Sequence, residues 1–124
     1  MKNITIQVDT TIHQAMKTLD KTAKKCLLVV DMDNKLLGTL TDGDLRRSIL
    51  TGEKFTEDIS KSYNSKPTIL IQNKYSAEEV KKLLYNQNLD LIPVIDENRV
   101  VVDYVTRSNI GGENQPKELL ANVP

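Results

Sequence analysis

Ile4 and Ile6 alternate with polar neighbours at the start of the chain, the period-two pattern of a short, half-buried strand. From Ile12 the period changes, and Ile12, Ala15, Met16, Leu19 and Ala23 fall on one face of a helix. Thr11 before it and Gln14 three residues later have the spacing of a capping box, which satisfies two of the backbone donors a helix start leaves open. Residues 26–30 form an unbroken apolar run, as a strand buried on both faces requires. Asp31, Met32, Asp33 and Asn34 supply a turn, and residues 36–40 return as the second arm of a hairpin. That arm reaches Thr41 and passes at once into a second helical stretch. The predicted order is strand, helix, strand, strand, helix.

The same order occurs again. Sliding the chain by 65 residues lays positions 4–45 over 69–110 without a gap. Ile4, Ile6 and Gln7 meet Ile69, Ile71 and Gln72, while Val29, Asp31 and Thr41 meet Val94, Asp96 and Thr106. Identities are few, so the shared order of apolar, turn and capping positions carries the repeat. Ser76 and Glu79 repeat the capping device ahead of a face made by Ala77, Val80, Leu83, Leu84 and Gln87. The expected fold class is α+β, two βαββα units related by a pseudo-twofold axis. We place the units at 1–60 and 61–124, joined by a polar connector with a helical turn near residues 57–60. A polar tail follows Gly111 and Gly112, with one turn expected near 117–121.

Composition narrows the chemistry. A chain of 124 residues is one domain's worth, enough for a single modest core, and its 17 basic and 17 acidic side chains cancel. No global field favours nucleic acid or an anionic membrane. No apolar run approaches the ~18–20 residues of a membrane span, and no signal peptide precedes Ile4, so a cytoplasmic protein is expected. Cys26, the only cysteine, excludes an internal disulfide and a cysteine-rich zinc site, and it falls where the second copy has Leu91. His13, the only histidine, sits in a polar first helical turn, so a Ser-His-Asp or Cys-His system would have to run through a solvated side chain. Gly111-Gly112 lacks the Lys-Ser/Thr of a phosphate loop, and Asp31 and Asp33 read as turn formers before they read as metal ligands. No catalytic constellation and no metal site are expected.

The candidate chemistry lies in residues 36–47, where an apolar strand feeds a helix N-terminus. The first N–H groups of a helix lack intrahelical partners, and the dipole favours negative charge there. Thr41 offers a hydroxyl at that mouth, and Asp44, one turn in, offers a carboxylate able to accept from a vicinal diol. Phosphate donors beside a diol acceptor suit a nucleotide. The same Thr-x-x-Asp spacing is also a capping box, in which both residues serve only the helix. Both readings stand at this level. In the second copy Thr106 and Asn109 hold the matching places, with Arg107 where the first copy has Asp42. Arg46 and Arg47 are expected on an exposed helix face, Asp42 one turn before Arg46.

Two such units, each closing in an apolar strand plus Thr-x-x-Asp/Asn, resemble a tandem pair of cystathionine-β-synthase (CBS) domains, a Bateman module. The best-matching segment is Leu-Leu-Gly-Thr-Leu-Thr-Asp-Gly-Asp-Leu at 36–45. Leu-Ile-Pro-Val-Ile-Asp at 91–96 is similar to the apolar-Pro-Val-Val-Asp segment common in these domains, with Leu28 standing in the first copy where the second has Pro93. The resemblance implies clefts that take AMP, ADP, ATP or S-adenosylmethionine as a regulatory ligand, with no required cofactor. Carried over by position, Thr41 and Thr106 approach phosphate, Asp44 and Asn109 meet the ribose, Arg107 assists phosphate, and Pro93 lines the second cleft. Asn109 replaces the acid, Asp103 replaces Gly38, and Asp42 repels phosphate, so each site is incomplete in its own way.

The tail at 119–124 resembles the segment that leads into the catalytic domain of sugar-phosphate nucleotidyltransferases. The implied partners are therefore an adenosine nucleotide and a covalently attached C-terminal enzyme domain. A homodimer is also expected, from apolar helix positions such as Ile49, Leu50 and Leu84 that exceed the need of a small core. The competing function is a structural dimerisation module that binds no small ligand.

Overall fold

The computed structural model describes residues 2–22 and 24–108. The chain divides into two compact units, the first ending at Pro67 and the second beginning at Thr68.

In the first unit a 3-10 turn, Lys2–Ile4, leads into β1 (Thr5–Ile6), α1 (Ile12–Thr22), β2 (Cys26–Val30), β3 (Leu36–Thr41) and α2 (Asp42–Leu50). The sheet order is β1-β2-β3, with β1 parallel and β3 antiparallel to β2. α1 is the crossover that a parallel pair requires. The N–H of Thr11 donates to Gln14 Oε1 and that of Gln14 to Thr11 Oγ1, each at 3.1 Å, so the capping box closes both ways. Ile12, Ala15 and Leu19 are buried beneath it, while Met16 is partly exposed and Ala23 lies outside the described residues. All five residues of β2 are buried, as expected of a central strand covered on both faces.

The second unit repeats this arrangement as β4 (Leu70–Ile71), α3 (Ala77–Asn86), β5 (Leu91–Ile95) and β6 (Val101–Thr106), in the order β4-β5-β6. Its core gathers Leu70, Val80, Leu84, Ile92, Val94 and Val105. Leu84 is fully buried there, which removes it from the surface positions expected to support a dimer; Leu50 is 78% exposed. Ser76 Oγ accepts from the N–H of Glu79 at 3.2 Å. The closing helix expected after β6, Asn109 and the turn near 117–121 all lie outside the described residues.

The repeat extends to details that a hydrophobic pattern does not carry. The register shifts at Val29/Val30 in one hairpin and at Val94/Ile95 in the other. Asp31 Oδ1 accepts from the N–H groups of Asp33 and Lys35 at 2.8 and 2.9 Å, and Asp96 Oδ1 accepts from Asn98 and Val100 at the same distances. Asn34 and Arg99, at matching places, both take positive φ. Asp31 is thus a turn former, as its position suggested.

The connector belongs to the first unit. Asp58 caps a 3-10 turn, Ile59–Lys61, whose Ile59 is fully buried. Asn64 then pairs with Thr39 at the outer edge of β3, in bonds of 3.0 and 2.8 Å. This contact holds the stretch up to Pro67 on the first unit, and the structural seam lies seven residues past the 60/61 boundary expected from the repeat. It also explains Gly38. A Cβ there would lie 2.1 Å from the Asn64 carbonyl oxygen and 2.6 Å from the Tyr63 ring. At the matching position in β6, Asp103 turns its carboxylate onto the N–H of Tyr104 at 2.8 Å.

Candidate functional site at the start of α2 and the end of β6

Thr41 ends β3 opposite Cys26 and is also the N-cap of α2, with extended backbone at φ −107°, ψ 167°. Its Oγ1 accepts from the N–H of Asp44 at 3.1 Å, and Asp44 Oδ2 accepts from the N–H of Thr41 at 2.9 Å. The capping reading of Thr-x-x-Asp is therefore realised. It does not exhaust the site, because each carboxylate oxygen has room for a second hydrogen bond. The Asp44 side chain keeps 14% of its surface open, and the first amides of α2 point outward from the same end.

The charges at this mouth arrange themselves differently from the expectation. Asp42, read as repelling phosphate, is bound to Arg46 at 2.6 Å, and both side chains are about two-thirds exposed. Arg47, read as part of a solvated face, turns back and donates Nη2 to Asp44 Oδ1. Nothing in the spacing singled it out beyond its place three residues after Asp44, where an i,i+3 ion pair is within reach.

In the second unit Thr106 ends β6 opposite Leu91 and is buried, with its Oγ1 3.1 Å from Ser108 Oγ. Pro93 is buried in β5 opposite Tyr104. Arg107 points elsewhere. Its Nη2 donates to Asn88 Oδ1 at 3.0 Å and to the Leu84 carbonyl at 3.4 Å, and its guanidinium stacks 5.0 Å from the Tyr85 ring centroid. The last turn of α3 has no basic residue of its own, so Arg107 supplies the cation that its dipole favours. The structure brings Thr41 and Asp44 into one cluster and leaves the Arg107 guanidinium on α3. Burial raises the pKa of the Tyr75 phenol, and the negative charge of Asp103 adds to the rise.

Two clefts of the first unit, about 660 and 700 Å³, are lined by other residues. One gathers Gln7, Asp9, Gln14, Lys17 and Asp31 at the far end of β2 from Thr41, and the other opens between Met16, Leu19, Lys24, Lys25 and Asp42. Neither includes Thr41 or Asp44. Among the described residues no three His, Cys, Asp or Glu side chains converge as metal ligands, and no helix is long and apolar enough to cross a membrane. His13 is exposed and Cys26 buried.

These features define a tandem α+β protein in which each repeat presents a threonine where its last described strand ends. The CBS domain family model matches residues 1–51 and again 59–110, and the chain belongs to that family. A CBS domain-containing protein of Dictyostelium discoideum is 32% identical over 118 residues, covering 86% of this chain and 80% of that protein. Arabinose 5-phosphate isomerase GutQ of Salmonella typhimurium is 31% identical over 93 residues, 75% of this chain and 29% of the isomerase. The chain spans less than a third of the length of the bacterial relatives it matches. Among solved structures, CBSX2 in complex with AMP superposes with a TM-score of 0.78 at 18% identity, covering 98% of this chain and 92% of that one.

Proposed function

We propose that this CBS pair is a cytoplasmic regulatory module that binds an adenosine 5′-nucleotide and controls an attached enzyme acting on sugar phosphates. The observation that carries the reading is the cluster at the start of α2. Thr41 and Asp44 hold each other in fixed orientation while carboxylate and hydroxyl lone pairs remain for a ligand. Asp44 takes the ribose hydroxyls and Thr41 lies on the phosphate side. By sequence position Asn109 matches Asp44, and with Thr106 and Pro93 it is assigned to a second, weaker site, because a neutral amide accepts less strongly than a carboxylate. CBSX2, of the same fold, was solved with AMP, which supports an adenosine ligand for this chain. The tail at 119–124 supports a nucleotidyltransferase as the attached enzyme, and GutQ, an isomerase, also acts on a sugar phosphate. Membership of the CBS domain family supports the regulatory role.

A second reading has an observation of its own. Both Asp44 oxygens already serve the fold, one bonded to Thr41 and one to Arg47, as in a module that only dimerises its parent. The exposed Leu50 and the half-buried Ile49 give such a dimer an apolar contact.

Thermal unfolding with AMP, ADP, ATP and adenosine separates the two. A ligand at a hundred times its Kd stabilises the native state by about 2.7 kcal/mol. A melting temperature indifferent to the whole panel, with a dimer in sedimentation, selects the structural module.

A further inference from the structure

Residues 53–64 lie across the first unit and touch three of its elements. The carbonyls of Phe55 and Glu57 accept from the first two amides of α1, those of His13 and Ile12, at 3.1 and 2.9 Å. The N–H of Ile59 donates to the Thr10 carbonyl at 2.9 Å, and Asn64 makes its two bonds with Thr39 on β3. From α2 the buried hydroxyl of Ser48 donates to Ser62 Oγ at 2.7 Å. One apolar anchor, Ile59, is fully buried, while residues 54–58 are exposed, Phe55 among them. Backbone bonds and a single buried side chain make up a segment whose opening costs far less than unfolding. At α1 the cost is smallest, because helix-start amides have no intrahelical partner and take water in place of a carbonyl.

We propose that residues 53–64 are a strap that opens and closes as one cooperative unit, latched by the Ser48–Ser62 hydrogen bond, while β2 and its hairpin stay folded. Ile59 and the 3-10 turn it begins align the bonds on either side, so withdrawing that one side chain loosens them all together. The consequence is a change of tether. With the strap down, six residue steps separate Asn64 from Leu70 at the start of β4; with it up, twenty separate Leu50 from Leu70. At about 3.3–3.6 Å per residue, the span that free chain can bridge rises from about 20 Å to about 70 Å. The latch sits on α2, the helix capped by Thr41, so a displacement of that helix acts directly on the strap. The device stands whether or not the start of α2 takes a nucleotide.

The test is native-state amide exchange of the whole chain, followed by NMR. The amides of Ile12, His13, Thr39, Ile59 and Asn64 are each bonded across the strap. In the wild type they should share one opening equilibrium, at least about tenfold more open than that of the β2 amides bonded to β3. Ser62→Ala and Ser48→Ala should each speed all five by one common factor of about two- to tenfold, the worth of a single hydrogen bond, and the double variant should add nothing further. Trypsin should cut after Lys61 faster by the same factor, because a protease needs released chain. Five unrelated opening equilibria, or an acceleration confined to Asn64 beside the latch, make the strap a set of separate contacts and overturn the proposal. Exchange of the five only together with β2 means that the strap opens only with the fold, and overturns it equally. Cleavage after Lys61 that is indifferent to the latch overturns the change of tether. The wild-type comparison decides the matter even where a circular-dichroism melt shows that a variant fails to fold.

Discussion

Asp44→Asn separates the structural and ligand-binding duties of one carboxylate. In the unliganded protein the asparagine oxygen still accepts from the N–H of Thr41, so half of the capping box survives. What is lost is the pair with Arg47, whose 70% exposure limits it to the ~0–1 kcal/mol of a surface ion pair, and an anion at the N-terminus of α2, worth ~0.3–1 kcal/mol. Together these predict a loss of about 0.5–1.5 kcal/mol, a fall of roughly 2–8 °C in melting temperature. The ribose side is larger. A hydroxyl donating to a carboxylate contributes ~1.5–3 kcal/mol against ~0.5–1.5 for a neutral acceptor, so two hydroxyls lose about 2 kcal/mol, roughly thirtyfold in AMP affinity. The assay is AMP titration by calorimetry, with the unliganded melt measured on the same preparation. If the melt drops by the expected few degrees while AMP affinity stays within twofold, Asp44 is a capping residue and the ribose assignment is wrong.

Gly38→Ala should cost at least about 1–3 kcal/mol in urea unfolding, because the new methyl meets the Asn64 carbonyl at 2.1 Å and the connector must shift; a neutral result denies that contact. Leu84→Ala, at a fully buried position in the second core, should cost about 2–5 kcal/mol, whereas Leu50→Ala, on the surface, should stay near neutral. Asp58 holds its proton less tightly when folded, chiefly because the Ser60 hydroxyl and then its N–H donate to it. Its stabilisation is therefore present above the ordinary value of 3.8 and disappears as pH falls through the lower folded value, so Asp58→Asn should flatten the acid limb of the stability curve. Glu53 works the other way. Its carboxyl is raised by a hydrogen bond with Glu57, and it favours the folded state as pH falls toward 4.5, so Glu53→Gln should steepen the same limb.

The order of elements was legible because the hydrophobic period changes beside capping residues, at Thr11 and again at Ser76, and because each central strand is apolar throughout. Asp31 and Asp96 announced their turns for a local reason: an Asp side chain bonds its own backbone two residues on. The matched register shifts were not legible, since a period-two pattern looks the same with or without an inserted residue. Nor was the need for Gly38, which comes from Asn64 far along the chain. At the candidate site the positions of Thr41 and Asp44 followed from their spacing. The directions of Arg47 and Arg107 did not. A long, flexible side chain settles on whichever neighbours folding brings near it, Asp44 for one and the end of α3 for the other.

The brevity of β1 and β4 has a consequence for how each unit comes together and comes apart. Each contributes only two residues to its sheet, and each must return across a whole helix to find its partner, Thr5 to Leu28 and Leu70 to Val94. The hairpins close over a few residues, and the parallel strands close over a loop several times longer, which entropy makes slower. Closure entropy therefore predicts that the hairpin forms first in each unit and that the short strand is the clasp fastened last. What keeps that clasp shut is not its ladder but the buried side chains of Ile4 and Ile6 in the first unit and Leu70 in the second. Amide exchange should therefore release Gln72, whose N–H donates to the Ile95 carbonyl at 2.8 Å, well before the amides of β5, marking a seam along which the unit breathes without unfolding.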